Sequence, residues 1–275
     1  MSGSILGTRQ EGYSLLREVP AIRRARDYHL YDLKGKRYLD LYQNNGRAIL
    51  GHRPRQLSHV IKNTLAKGLL AEYPSVLERQ FLKALAGLLP GYKDFRLYLT
   101  MERAMAAVSA LLQTDASEIL SDPALEAASE SDFSLWRPYL EVPEEKRKSQ
   151  PKVILPILPV PSASVPVVIG VRDNVHSGLP PSDLVSPVLL AGLKRAVFDL
   201  MASPYRSNDT NFDGPIWKRR GVYLTARCDL AEYSRVFRAF LSAGFLISPC
   251  FPGPSIIPGE YTPGEIKALK VLGRS

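Results

Sequence analysis

The sequence predicts an α/β protein, because short β-branched segments alternate along it with amphipathic helical segments. Two apolar runs bounded by prolines, residues 152–158 and 165–171, have the composition of buried neighbouring strands. Helical segments begin at signals such as Ser186-Pro187 and Thr262-Pro263, and their apolar residues recur at helical spacing. At 275 residues, of which 45% are hydrophobic, the chain can bury the core of one large domain or of two unequal ones.

The first part of the chain predicts one hairpin, one strand and three helices. The hairpin pattern is an alternation of apolar and polar residues around a Lys34-Gly35 turn. The second helix begins at Ser75, whose hydroxyl can cap it together with Glu78 three residues later. In order, the predicted elements are the hairpin at 28–42, helices at 56–69 and 75–89, a strand at 95–99 and an alanine-rich helix at 102–113.

The rest of the chain is patterned less evenly. Residues 114–150 predict a short helix or two followed by an exposed loop. Farther on, Gly244 is placed to end a helix, and Thr262 with Glu265 predicts a second capping box. After the two apolar runs, the predicted elements are a helix from Ser186 to about 201, a loop, a strand at 221–227, a helix at 232–243, a strand at 245–248 and a terminal helix at 262–272.

The composition favours a protein of the cytoplasm. Cys228 and Cys250 are too few for a disulfide framework or a metal cluster, which suits a reducing compartment. The first residues lack a basic segment followed by an apolar one, so they predict no secretory signal. Prolines interrupt the longest apolar tract, residues 153–171, and no tract is long enough for a membrane span.

The formal net charge of +9 raises the question of nucleic-acid binding. The basic residues are scattered along the chain, and they do not interleave with aromatic residues in a recognition pattern. We therefore expect neither a nucleic-acid partner nor a membrane, and we interpret the excess of arginine as solvated surface.

Three motifs follow one another near the N-terminus. Residues 28–40 read Tyr-His-Leu-Tyr-Asp-Leu-Lys-Gly-Lys-Arg-Tyr-Leu-Asp, then come Asn45-Gly46 and Ile49-Leu50-Gly51-His52-Arg53-Pro54. This order resembles class-III aminotransferases, which depend on pyridoxal phosphate (PLP), and most of all their glutamate-1-semialdehyde aminotransferase branch. The resemblance implies the PLP-dependent transferase fold type I, with a shortened large domain containing a central sheet plus a small α/β domain. It assigns residues 1–55 and 205–275 to the small domain and residues 56–204 to the large one.

The resemblance also implies a place for the cofactor phosphate. The family holds it on backbone amides at a helix N-terminus, in a Ser-Gly-(Ser/Thr)-Glu-Ala turn. Here the corresponding residues are Thr100-Met101-Glu102-Arg103-Ala104. Thr100 keeps a hydroxyl, but Met101 replaces the glycine that lets the phosphate approach, and Arg103 replaces an acidic residue.

A second cofactor contact is implied after the run that ends at Val171. The family carries Asp-Glu-Val-x-(Thr/Ser)-Gly after a strand, and its aspartate pairs with the pyridinium nitrogen. In Asp173-Asn174-Val175-His176-Ser177-Gly178, Asp173 matches the aspartate and Ser177 matches the hydroxyl residue. Asp173-Asn174 is equally consistent with an ordinary turn after the strand.

The lysine that the family uses to form its Schiff base has no counterpart at the expected place. That lysine precedes a glycine pair, yet no lysine lies between Lys152 and Lys194 and the chain contains no Gly-Gly dipeptide. An amine is needed both as the nucleophile and as the proton carrier. Lys194, inside a predicted helix, is the remaining candidate.

These observations predict a degenerate aminotransferase-like protein that is inactive in transamination and binds a ligand or a partner. The alternative is an active PLP-dependent aminotransferase or aminomutase that uses a non-standard lysine. We expect no cofactor, or pyridoxal phosphate bound weakly or non-covalently, and no metal. Because the family's sites form at a dimer interface, the resemblance implies a homodimer, or a heterodimer with an active paralogue.

Overall fold

The computed structural model describes residues 14–125, 131–140, 150–162, 164–173, 175, 178–203 and 215–274. They form two compact units. Unit 1 contains the described residues up to Arg53, residues 139 and 140, and those from 215 on, while unit 2 contains the described residues of 54–138 and 142–204.

Twelve strands and seven α-helices are present in the described part of the chain. The strands are β1 (Ile22–Arg26), β2 (His29–Asp32), β3 (Arg37–Asp40), β4 (Tyr92–Tyr98), β5 (Leu120–Ser121), β6 (Phe133–Trp136), β7 (Val153–Pro156), β8 (Val167–Arg172), β9 (Trp217–Arg220), β10 (Tyr223–Ala226), β11 (Phe245–Leu246) and β12 (Ser255–Ile256). The helices are α1 (Arg55–Ala66), α2 (Val76–Leu88), α3 (Met101–Leu112), α4 (Ala116–Ile119), α5 (Pro187–Ala202), α6 (Leu230–Ser242) and α7 (Pro263–Leu272). None of these helices combines the length and the apolarity needed to cross a bilayer.

Unit 1 contains two sheets and a shared apolar core. One sheet has the order β1-β2-β3-β11, in which β11 pairs in parallel with β3, and the other has the order β12-β10-β9. Helix α6 contributes Tyr233, Phe237 and Phe240 to the core, each at most 1% exposed. These three residues belong to the stripe that predicted the helix, so the helical spacing in the sequence identified the buried face correctly.

Unit 2 is built on a five-stranded sheet with the order β4-β8-β7-β6-β5. Strand β8 runs antiparallel to both of its neighbours, whereas β5, β6 and β7 are parallel to one another. Strands β7 and β8 are almost completely buried, as their β-branched composition predicted. Helices α1 and α2 both pack against α5.

Most predicted elements are present, with boundaries shifted by a few residues, and the α/β prediction is confirmed. The capping box of Thr262 and Glu265 forms, and Gly244 adopts the left-handed conformation after α6 (φ 90°). Five strands were missed: β1 before the hairpin, β5 and β6 in the weakly patterned region, and β9 and β12 in the last part of the chain. The predicted strand at 221–227 is part of a hairpin of β9 and β10.

Candidate functional site

The candidate site lies in unit 2, where β4, β5, β6 and β7 end. Since β8 is antiparallel to both β4 and β7, these four strands point the same way. Ligands of open α/β sheets bind beyond the carboxyl ends of the strands. At this edge lie the N-terminus of α3 after β4, the residues that follow β5 and β6, and the turn that follows β7.

The N-terminus of α3 has the strand–turn–helix arrangement implied for the phosphate. Thr100 caps the helix, and its hydroxyl accepts a hydrogen bond from the N–H of Arg103 (3.2 Å). A helix N-terminus with unsatisfied N–H groups favours an anion.

The carboxylate of Asp183 is bound beside this helix N-terminus. Its Oδ2 accepts from the N–H of Leu99 (2.9 Å), and its Oδ1 lies 2.8 Å from Nε of Arg103. The Asp183 side chain is 13% exposed, so the ion pair is protected on the side of the carboxylate. The carboxylate of Asp183 therefore binds the Leu99 N–H and the Arg103 guanidinium, next to the N–H groups at the start of α3.

Asp183 is positioned by the segment that covers the outer edge of β4. The N–H of Asp183 donates to the carbonyl of Leu97 (2.8 Å), the N–H of Leu97 donates to Oγ of Ser182 (3.1 Å), and the Tyr98 hydroxyl donates to the carbonyl of Pro180 (3.0 Å). These bonds pair an edge that would otherwise be open. Residues 180–183 thus have a structural role along β4.

A buried ion pair follows β5 and β6 at the same edge. Asp122 and Arg137 are 3% and 2% exposed, with Nε at 2.7 Å from Oδ1 and Nη2 at 2.5 Å from Oδ2. The N–H of Ala124 also donates to Asp122 (3.0 Å). Two nitrogens of the guanidinium are therefore bonded to the carboxylate. No sequence pattern indicates this pair, since both residues lie in the weakly patterned region.

The turn after β7 completes the edge with apolar side chains. Leu158 and Val160 belong to the main apolar cluster of unit 2 and are nearly inaccessible to solvent. A nucleophilic amine needs polar or titratable side chains around it. Residues 157–161 of this turn include no such side chain.

Asp173, predicted to contact the cofactor ring, lies at the opposite end of the strands from the candidate site. Strand β8 pairs Arg172 with Tyr92 and Val167 with Tyr98, so Asp173 sits beside the start of β4 and Thr100 beyond its end. The six residue steps between these two pairs span about 20 Å. The structure therefore does not bring Thr100 and Asp173 together, because strand direction, which the sequence pattern does not reveal, places them apart.

The contacts of Asp173 are those of an exposed turn residue. Its N–H donates to the carbonyl of Gly91 (3.1 Å), and its carboxylate lies 2.8 Å from Nζ of Lys93. Of the two interpretations offered by the sequence, this geometry matches the turn. Ser177, the third predicted contact, lies outside the described residues.

Lys194 lies on α5, in the helical layer of unit 2. Its Nζ donates to Oε1 of Gln80 on α2 (2.7 Å). Among the described residues, no recorded hydrogen bond or ion pair joins Lys194 to Thr100, Asp183 or Asp173.

The pKa of Tyr98, at the end of β4, is shifted away from neutral pH. Burial raises the pKa of Tyr98, and the charges of Arg96 and Arg103 oppose that effect. Tyr98 therefore stays protonated and serves as a hydrogen-bond donor rather than as a base. In the ranges that the structure describes, no group of three histidine, cysteine, aspartate or glutamate side chains could hold a metal ion.

Solved structures of known enzymes share this fold. An ornithine δ-aminotransferase of Plasmodium falciparum aligns with a TM-score of 0.66 and 14% identity, over 92% of this chain and 91% of that one. A glutamate-1-semialdehyde aminomutase of Pseudomonas aeruginosa aligns with a TM-score of 0.64 and 11% identity, over 93% and 86%. The protein therefore has the fold of the class-III, PLP-dependent aminotransferases, fold type I, in a shortened form.

Sequence relatives define its family more narrowly. The chain is 30% identical over 265 residues to an uncharacterized protein of Borreliella burgdorferi, covering 94% of this chain and 91% of the relative, and it belongs to the same family. A glutamate-1-semialdehyde 2,1-aminomutase of Clostridium acetobutylicum is 33% identical over 66 residues only, which are 24% of this chain. No known protein-family model matches.

Proposed function

We propose that this protein is a degenerate aminotransferase-fold protein that does not carry out transamination and functions by binding a partner. One observation carries the proposal: the ligand-binding edge of its sheet is occupied by its own side chains. Asp183 takes the donors beside α3, Arg137 is neutralised by Asp122, and Leu158 is buried after β7. We infer from these contacts that the described residues of this edge do not fit pyridoxal phosphate.

The missing lysine supports the same conclusion from the sequence. Transamination needs an amine that first attacks the cofactor aldehyde and later moves a proton, and an amide or hydroxyl cannot do both. No lysine occurs between Lys152 and Lys194. The alternative, an active aminotransferase or aminomutase that uses Lys194, requires this amine to leave Gln80, to which it donates at 2.7 Å. Two cysteines without a disulfide framework favour the cytoplasm as the place of action.

A titration with pyridoxal phosphate tests the proposal. Following the absorbance of the protein-bound aldehyde, we expect no saturable band shift at micromolar cofactor, because Asp183 already binds the Arg103 guanidinium at the implied phosphate position and the Schiff-base lysine is missing. Asp183→Ala is the informative variant, because it removes the acceptor of the Leu99 N–H and the ion-pair partner of the Arg103 guanidinium. If the wild-type protein shows a saturable shift, and Lys194→Arg abolishes it, the alternative is correct instead.

The proposal includes a second copy of this chain as one partner. Five large apolar side chains are exposed within twelve residues at the end of α1 and the start of α2: Leu65, Leu69, Leu70, Tyr73 and Val76. Tyr73 is 72% exposed and Val76 66%. Monomeric proteins rarely expose apolar patches of more than a few hundred Å². Lys67 and Glu72 lie within the same stretch, so a twofold interface could pair opposite charges.

We expect the purified protein to be a dimer by light scattering, and the double variant Leu70→Ser/Tyr73→Ser to be a monomer. Both side chains are mostly exposed, so their replacement removes apolar contact between copies without opening a core. Leu184→Ser, at a 48% exposed leucine outside the patch, is the matched control and should leave the dimer intact. A wild-type monomer, or a double variant that still dimerises, would show that this patch does not form a dimer interface.

A further inference from the structure

The net charge of the protein is concentrated in unit 1. Residues 14–53 contain nine lysines and arginines and four aspartates and glutamates, and residues 215–274 contain nine and four again. The described residues of unit 2 contain 13 basic and 11 acidic residues. The excess of basic over acidic residues is spread along the sequence, but in the fold most of it lies in unit 1.

Five of these basic residues meet at one end of the β1-β2-β3 meander. We call Arg23, Arg24, Lys34, Lys36 and Arg37 the basic meander end. The register pairs Ile22 with Asp32, Arg24 with Tyr31, and Tyr31 with Arg37. Because neighbouring strands lie about 4.8 Å apart, the five Cα atoms fall within a patch roughly 15 Å across.

The acidic residues of this region are already committed. Asp32 is 7% exposed, and its carboxylate accepts from the N–H groups of Lys34 and Lys36 and from the Tyr38 hydroxyl. Glu265 accepts from His29 and pairs with Arg37 (3.0 Å), and Nζ of Lys36 donates to the carbonyl of Ser242 (2.8 Å). The proposal therefore depends mainly on Arg23, Arg24 and Lys34. In the described residues no recorded ion pair neutralises Arg23 or Lys34, and both are exposed.

We propose that the basic meander end binds the phosphate backbone of a nucleic acid without reading its sequence. Thirteen of the 18 basic residues of the two stretches are arginines, whose planar guanidinium matches a phosphate bidentately. Arg24 lies over the Tyr31 ring (4.4 Å), which holds that guanidinium at the surface of the sheet. We expected no nucleic-acid partner because the basic residues are scattered along the sequence. In the fold, several of them lie close together.

Charge on an edge strand has a purely structural explanation, because it prevents two sheet edges from pairing. This explanation requires charge on β1 alone. It does not account for Lys34 in the turn between β2 and β3, or for the near-neutral charge of unit 2. A phosphate-binding surface accounts for all three observations.

Fluorescence anisotropy with a short labelled RNA and a short labelled DNA duplex tests the proposal. We expect binding at low ionic strength whose affinity falls linearly on logarithmic axes as salt rises, by about 0.9 per phosphate contact for the duplex. The triple variant Arg23→Glu/Arg24→Glu/Lys34→Glu should weaken binding on the order of tenfold or more and lower the salt slope. The matched control Lys62→Glu/Arg79→Glu/Lys83→Glu carries the same change in net charge on exposed residues of unit 2 and should retain most of the affinity.

Three results would overturn the proposal. They are no binding at low ionic strength, equal losses in the two triple variants, and binding to vesicles containing phosphatidylglycerol but to neither nucleic acid. The last result would assign the surface to a lipid headgroup. Should the charge-reversed variant fail to fold by circular dichroism, Arg23→Gln/Lys34→Gln changes only exposed side chains and gives the same comparison. These outcomes do not depend on pyridoxal phosphate, so the proposal stands or falls separately from the proposed function.

Discussion

Replacing Asp122 with alanine is expected to lower the free energy of unfolding by about 3–5 kcal/mol, because it leaves the guanidinium of Arg137 buried without its carboxylate. Both side chains are at most 3% exposed and are joined by two hydrogen bonds. Urea unfolding followed by circular dichroism measures the change, and amide hydrogen exchange in β5 and β6 should show the loss locally.

Asp132→Ala is the matched control for this prediction. Asp132 also pairs with a basic residue in unit 2, Lys152 (2.8 Å), but both side chains are about half exposed. Exposed pairs contribute about 0–1 kcal/mol, so this variant should unfold nearly like the wild type. The double variant Asp122→Leu/Arg137→Met removes both charges and should recover most of the stability. Equal stabilities for Asp122→Ala and Asp132→Ala would mean that the buried pair does not form.

Phe237→Ala is expected to cost about 3–5 kcal/mol, through lost burial and the cavity that the ring leaves. Phe237 is completely buried in the core of unit 1, on the face of α6 that also carries Tyr233 and Phe240. Neighbouring side chains can fill the cavity only in part, because protein cores are closely packed. Urea unfolding, with fluorescence of Trp217 in the same cluster as a local probe, measures the effect.

Leu230→Ala, at the start of the same helix, serves as the comparison. Leu230 is 39% exposed, so its truncation should change stability by no more than about 0.5 kcal/mol. If both variants lose the same stability, α6 does not present Phe237 to the core. The apolar residues at helical spacing would then have been assigned to the wrong face of the helix.

Elements governed by local chemistry could be predicted from the sequence. Thr262 and Glu265 form the predicted capping box because both partners lie within one helical turn. The stripe through Tyr233 and Phe237 identified the core face of α6, since helical spacing alone decides which side chains share a side. Strand β1 was missed because three of its five residues are arginines, and its pairing partner, β2, supplies the stabilisation.

The candidate site could be predicted only in part, because it depends on strand order and direction. The helix after β4 was predicted from about residue 102, and its cap Thr100 was named only through the family resemblance. The distance between Thr100 and Asp173 follows from the antiparallel direction of β8, which no local pattern encodes. Asp183 is 80 residues or more from its partners Leu99 and Arg103, so its place beside α3 became visible only in the fold.

The most direct test of the central claim is reduction of the protein with borohydride in the presence of pyridoxal phosphate, followed by peptide mass mapping. A Schiff base is reduced to a stable secondary amine, so the adduct records which lysine reacted and in what proportion. We predict no stoichiometric adduct at any single lysine, for the wild-type protein and for Asp183→Ala alike. A stoichiometric adduct at one position, Lys194 above all, would contradict this account and identify the amine of an active enzyme.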